Sequence, residues 1–306
     1  MITYYYKTLR DKNLRELPEF RTGAWIYVED PTDEELELLS QTHTIDPGLL
    51  SDAIDPYEVP RLEIDNKVVY VYTRFPARYS DDIATVPFLL AVGPDFVLTV
   101  CRRLLPFIER ITKSSAISAT TQKIKLFLQL FSATLRAYQR SLTNIGREVH
   151  KKKVYPEQVK AKDIFEFVRF ESTLNDFLSA LVPSHNILHS LLSGKIFPLF
   201  EEDLDITEDL KLSSEQLINT CKTNLKTIVN LREAYSAVAT SNLNSVIKLL
   251  TSLTVVLTIP TIITSFYGMN VPLPFAGSPY APIFIIVLTL GISAALIYYF
   301  SRKHWL

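Results

Sequence analysis

The side chains best placed to do chemistry together lie on one helical face. Steps of alternating four and three residues from Asn219 fall on Thr223, Lys226, Asn230, Glu233, Ala237, Thr240, Asn244, Ile247, Thr251, Thr254, Thr258, Thr261, Ser265 and Gly268. That spacing is one face of a helix with a 3.5-residue repeat. Nearly all of it is polar or small, while Leu, Ile and Val flank it. From Thr251 onward the stripe enters a segment with no Asp, Glu, Lys, Arg or His before Arg302. Hydroxyls in so apolar a segment turn toward other helices or toward water. One reading is close helix packing by small residues. The other is a pore lined by one such helix from each subunit, which demands a homo-oligomer because two spans cannot enclose a channel. In that reading Ile247 and Leu250 form an apolar constriction able to gate by dewetting.

The elements that must position this face are membrane spans. About 20 apolar residues cross a bilayer as a helix, and residues 249–267 and 282–300 each fit. Between them Gly268, Pro272, Pro274, Gly277 and Pro279 mark a loop. Lys248 precedes the first span and the basic tail Arg302, Lys303 and His304 follows the second, while the loop is uncharged. The positive-inside rule therefore puts both termini in the cytoplasm. Tyr267, Tyr280, Tyr298, Tyr299 and Trp305 stand where interfacial aromatics belong. Pro260, inside the first span, leaves the Val256 carbonyl without its helical donor.

Ahead of the spans lies a soluble part. The 306 residues are 47% hydrophobic and 21% charged with a net charge of −1, and nearly all the charge precedes the first span. Residues 1–120 read as mixed α/β. Strands are expected at 2–8, 24–29, 59–65, 68–75, 86–92 and 96–101, with turns at Asp65-Asn66 and Gly93-Pro94-Asp95. Helices are expected at 33–43 and about 47–54. Residues 121–153 are helical up to Pro156, and 157–197 are helical with Pro183 as a kink or break. A third helical run starts near 203 with acidic residues, which suit a helix N-terminus, and meets no Pro or Gly before Pro260. A helix of about 65 residues is about 95 Å long and must pack against copies or partners.

Other chemistry is set aside. Cys101 and Cys221 are far apart, with no CxxC. His185 and His189 share a helix face but lack a third ligand. There is no P-loop, GxSxG, HExxH or glycine-rich phosphate loop. No nucleotide is expected as a partner, the near-zero net charge gives no reason to expect nucleic acid, and no enzyme is indicated.

The triplet Gly268-Met269-Asn270 closes the first of two C-terminal spans, after a long breaker-free helix and before a tail ending Trp305-Leu306. This arrangement resembles the CorA family of divalent-cation transporters. Trp25-Ile26-Tyr27-Val28-Glu29-Asp30-Pro31, Leu50-Ser51-Asp52 with Pro60-Arg61-Leu62-Glu63, and Ser241-Asn242 with Asn244 resemble further parts of the family, so the likeness covers essentially the whole chain.

The resemblance implies a homopentameric funnel: an α/β N-terminal cytoplasmic domain, long stalk helices and a C-terminal two-helix transmembrane hairpin in the cell membrane. The implied divisions are 1–120 (α/β domain), 121–200 (two long helices on the stalk), 201–248 (stalk), 249–268 (pore span), 269–281 (external loop), 282–301 (second span) and 302–306 (basic tail). The implied activity is potential-driven uptake of Mg²⁺, with Co²⁺ and Ni²⁺ as further ions, gated by cytoplasmic Mg²⁺. By similarity Gly268, Met269 and Asn270 select the cation with Tyr267 bracing them. Asn244 and Leu250 form inner rings, and Asp52, Asp209 and Glu233 hold regulatory Mg²⁺. Mg²⁺ dehydrates reluctantly, so neutral oxygens such as the Asn270 amide suit it. The loop lacks the acidic residue that many members carry after the triplet, which leaves Zn²⁺ or another transition metal as an alternative cargo. A membrane-anchored scaffold or sensor is the remaining alternative.

Overall fold

The computed structural model describes residues 1–79, 82–114, 117–154, 161–271, 273–274, 279–303 and 305. The expected stops at Pro156, Pro272 and Gly277, and the tail residue His304, lie outside the described residues. The chain divides into two compact units, Met1–Asn230 and Leu231–Leu306.

The first unit is built on a seven-stranded sheet of β1 (Ile2–Tyr6), β2 (Arg15–Leu17), β3 (Ala24–Glu29), β4 (Arg61–Asp65), β5 (Val68–Tyr79), β6 (Asp82–Val92) and β7 (Phe96–Cys101). Their order is β2-β1-β3-β7-β6-β5-β4. Among the described residues only β3 and β7 pair in parallel, in register Ala24 with Phe96 through Glu29 with Cys101. Both central strands are apolar and almost wholly buried, as a strand covered on two faces requires. The indole of Trp25 donates to Thr99 Oγ1 at 3.0 Å and ties them together.

Helices cover the sheet. Helix α1 (Asp33–His43) starts at a capping box, Thr32 with Glu35. Helix α2 (Pro47–Asp52) starts at Asp46, whose carboxylate accepts from Gly48 N at 2.7 Å. Leu36, Leu39, Ile45 and Leu50 of this region join Tyr70, Tyr72, Leu89 and Leu98 of the sheet in one core. A short α3 (Pro106–Thr112) follows β7 and buries Phe107 and Ile108. Two long helices follow, α4 (Lys123–Val154) and α5 (Ala161–Leu191). Tyr138 of α4 donates to Arg74 O at 2.9 Å and meets Phe177 of α5 edge-on at 5.0 Å. Thr73 of β5 bonds Ser184 of α5 at 3.2 Å.

Two expectations need correction. Pro183 neither breaks nor ends α5, which continues to Leu191. Its missing N–H strands the carbonyl of Ser179, an exposed residue that water can serve, and buried Phe177, Leu181 and Leu188 hold both sides. The β4–β5 turn is centred on Asn66-Lys67, not Asp65-Asn66. Both central residues have positive φ, 47° and 66°, the geometry that matches strand twist in a two-residue hairpin. Finally, β2 and α3 are elements without a strong sequence signal.

Helix α6 (Glu201–Tyr267) is continuous over 67 residues and carries Pro260 within it. The second unit consists of its C-terminal part, the connecting loop and α7 (Ala281–Arg302). Both helices contain segments long and apolar enough to cross a membrane. Large apolar side chains such as Leu253, Ile262, Phe284 and Val287 stand exposed along them, as lipid-facing side chains do. Tyr280 marks the start of α7, and Tyr298 and Tyr299 mark its last turn.

Candidate ion-transport site

The stripe begins in the first unit and ends in the second. In the second unit Glu233, Ala237, Thr240 and Asn244 line one open groove along α6, together with Ser236, Ser241, Ser245 and Lys248. Farther on, Ile247, Leu250, Thr251, Thr254, Thr258, Thr261 and Ser265 are all exposed on the single chain. Unlike the flanking Leu and Ile, the hydroxyls gain nothing from lipid, so this face calls for water or another helix.

The hydroxyls are already oriented. Thr254 donates to Leu250 O at 2.8 Å, Thr258 to Thr254 O at 2.7 Å and Thr261 to Leu257 O at 3.1 Å. Each has one hydrogen, and the helix backbone takes it. What each then presents outward is lone pairs. A file of acceptors suits the waters of a hydrated cation, which donate, and repels anions. No charged group interrupts the span, so a cation passing it meets no strong trap.

At the far end Tyr267 closes α6. Gly268 N bonds Thr264 O at 2.9 Å and Met269 N bonds Phe266 O at 3.3 Å. A Cβ on Gly268 would lie 3.3 Å from Thr264 O and 3.6 Å from Ser265 O, so glycine lets the chain turn tightly over the helix end. Phe266 and Tyr267 meet edge-on at 5.8 Å. Met269 and Asn270 are exposed. Gly268 and Met269 supply the terminal backbone bonds. Among the described residues nothing bonds the Asn270 amide, which leaves its oxygen available.

At the other end of the span Ser252 is fully buried, beside the stripe. It donates to Lys248 O at 2.5 Å and lies 3.4 Å from Trp305 O. Trp305 in turn stacks on Phe300 at 5.7 Å. This anchoring of the tail residue Trp305, beyond Arg302 and Lys303, was not legible in the sequence. Ser252 lies off the 3.5-residue repeat, and its burial was the missing signal.

Of the three acidic residues expected to regulate, Asp52 and Asp209 belong to the first unit and Glu233 to the second. Asp209 and Glu233 are exposed. Asp52 is engaged, its Oδ2 lying 2.7 Å from Arg61 Nη2. Arg61 also pairs with Glu63 at 3.2 Å and with Glu58, and its guanidinium lies 4.1 Å over the Tyr72 ring. Burial disfavours the Arg61 charge, yet the bonds to Asp52 and Glu63 raise its pKa above the ordinary value. Among the described residues no three His, Cys, Asp or Glu side chains of one chain converge to hold a metal. His185 is spoken for: its Nδ1 bonds Ser214 Oγ at 2.8 Å, and Ser214 donates to Lys211 O.

An α/β unit from which one unbroken helix runs on as the first of two apolar spans, with a hydroxyl face and a turn of Gly-Met-Asn at its end, defines a two-span membrane transport protein. Comparison with known proteins narrows the class. The sequence profile of the CorA-like Mg²⁺ transporter proteins matches residues 21–303, and the chain belongs to the CorA family. A curated relative, the cobalt/magnesium transport protein CorA of Methanocaldococcus jannaschii, is 27% identical over 296 residues, spanning 92% of this chain and 91% of its own. The complete structure of that organism's CorA magnesium transporter superposes with a TM-score of 0.87 at 23% identity, covering 100% of this chain and 99% of the other. The full-length CmaX protein superposes with a TM-score of 0.75 at 15% identity, covering 96% and 97%. The chain is therefore a membrane transporter of the divalent-cation family and not an enzyme.

Proposed function

We propose that five copies of the chain assemble around their α6 helices and conduct Mg²⁺ into the cytoplasm, with Co²⁺ and Ni²⁺ as lesser cargo. The observation that carries this reading is the outward file of acceptor hydroxyls on α6, leading to exposed Asn270 at the helix end. Mg²⁺ holds its waters tightly, so a path of neutral acceptors that bonds those waters passes the ion without stripping it. Gly268, Met269 and Asn270 form the selective outer ring, with Tyr267 bracing it. Asn244 forms the polar inner ring and Leu250, with Ile247, the apolar one. Both termini face the cytoplasm of the cell membrane. Two charges moving inward gain about 4.6 kcal/mol per 100 mV of membrane potential, which drives uptake without nucleotide hydrolysis.

Transport is regulated by cytoplasmic Mg²⁺ acting on Asp52, Asp209 and Glu233 across subunits. Carboxylates from adjacent chains repel until a divalent ion bridges them, so ion loss loosens the assembly. The name of the M. jannaschii relative, cobalt/magnesium transport protein, supports this cargo. The uncharged loop favours keeping Zn²⁺ as the second reading, because nothing acidic there concentrates a hard cation. Parallel entry assays in proteoliposomes with Mg²⁺, Co²⁺ and Zn²⁺ separate the two. Mg²⁺ entry blocked by competing Co²⁺ supports the proposal, and Zn²⁺ entry without Mg²⁺ entry replaces it.

A further inference from the structure

A cleft of about 710 Å³ lies in the first unit, walled by α4, α5 and the β5–β6 hairpin, and transport as proposed makes no use of it. Its volume is in the range of small-molecule sites. Arg78 from β5, Arg147 from α4 and Arg169 from α5 all line it. The acidic residues in the same walls are already neutralised. Glu148 pairs with Lys151 at 2.7 Å, and Glu166 pairs with Lys152, which also holds Asp163 at 2.5 Å. Arg78 and Arg147 have no carboxylate partner among the described residues. Arg78 and Arg147 are exposed at the cleft, so both guanidiniums are open to an anion that enters it. Arginine, moreover, presents planar donors matched to phosphate oxygens.

A second feature is independent of charge. Phe165, 73% exposed, lines the same cleft, with Phe170 and Ile83 beside it. An aromatic ring exposed on the single chain next to an arginine-lined cavity provides a surface on which a planar base can stack.

We propose that this cleft binds a nucleoside polyphosphate, its phosphates held by Arg78 and Arg147 and its base against Phe165. No nucleotide motif marks the site in the sequence because its walls come from three elements well separated along the chain. The inference stands apart from the transport reading. Inorganic polyphosphate shares the anionic chemistry but lacks the base, so the two sources are separable.

The test is calorimetric titration of the full-length protein in detergent with ATP and with tripolyphosphate. It is done in magnesium-free buffer at about 150 mM KCl, where the Debye length of about 8 Å suppresses diffuse attraction. Saturable ATP binding is expected. The double variant Arg78→Gln/Arg147→Gln should weaken it about tenfold or more, with Arg78→Lys/Arg147→Lys recovering part of the loss. Phe165→Ala should weaken ATP binding about fivefold or more and leave tripolyphosphate unchanged. Unchanged thermal unfolding of the unliganded variants separates lost binding from lost fold. Absence of saturable ATP binding at millimolar concentrations, or ATP binding indifferent to the arginine double variant, overturns the site. Tripolyphosphate binding as tight as ATP and indifference to Phe165→Ala overturn the nucleoside assignment.

Discussion

Arg61 Nη2 lies 2.7 Å from Asp52 Oδ2, so the carboxylate expected to take part in sensing cytoplasmic Mg²⁺ already has a cation from its own chain. The guanidinium cannot leave by losing its proton, and Glu58, Glu63 and the Tyr72 ring hold it in place. A divalent ion acting at Asp52 must compete with it. Replacing Arg61 by Gln should therefore make transport more sensitive to internal Mg²⁺, lowering the half-inhibitory concentration about threefold or more, while Asp52→Ala should raise it. Dye-loaded proteoliposomes with graded internal Mg²⁺ measure both. A half-inhibitory concentration unmoved by Arg61→Gln separates this pair from regulation.

The hydroxyl file gives a second prediction. Thr254→Val/Thr258→Val keeps the volume of both side chains and removes the acceptors that face outward. Mg²⁺ entry should fall about tenfold or more, and Thr254→Ser/Thr258→Ser should keep most of it. Equal entry through the valine and native proteins would assign the stripe to helix packing instead.

Gly268 yields a steric test. A methyl there meets Thr264 O at 3.3 Å, and a larger side chain must displace the turn that carries Asn270. Gly268→Val should abolish entry while the protein still assembles, as size-exclusion chromatography with light scattering would show. Full entry through Gly268→Val would contradict the tight turn.

The docking of α4 and α5 on the sheet can be weighed by unfolding. Tyr138→Phe removes the bond to Arg74 O and should cost about 1–2 kcal/mol. Phe177→Ala opens a cavity against Tyr138 and should cost about 3–5 kcal/mol. Denaturant melts of the full chain, followed by circular dichroism, give both values.

Burial pushes the thiols of Cys101 and Cys221 up from 9.0 to about 12. The fold favours the neutral thiols. Their contribution is thus complete below about pH 9 and is lost as pH climbs from there toward about 12. Stability should fall over that alkaline window, and a maleimide at pH 8 should label neither cysteine until urea is added. Rapid labelling of the native protein would contradict their burial.

Much of this architecture is legible in the residues, and the exceptions have physical causes. The capping box of Thr32 and Glu35 sets α1, and the β-branched and aromatic runs set the central strands. By contrast, β2 is three residues, exposed Arg15 and Glu16 and half-buried Leu17, placed by pairing with β1. Its strand character comes from its neighbour. Pro183 carries a true breaker signal that tertiary packing of Phe177, Leu181 and Leu188 overrides. The stripe on α6 follows from spacing alone, because a helix projects its period onto one face. The Asp52–Arg61 bond does not, since a nine-residue separation crossing from α2 to β4 becomes a contact only through the fold. The arginine cleft is hidden for the same reason, since Arg78 and Arg147 belong to different elements.

The central claim is that Asn270 and the hydroxyl face of α6 form a Mg²⁺ path. Its most direct test is Mg²⁺ entry into proteoliposomes holding an internal dye, at low internal Mg²⁺ and an inside-negative potential, for the native protein and Asn270→Ala. Rapid entry through the native protein that disappears in Asn270→Ala is the predicted result. Entry that is equal in the two proteins, or absent from the native one, would contradict it.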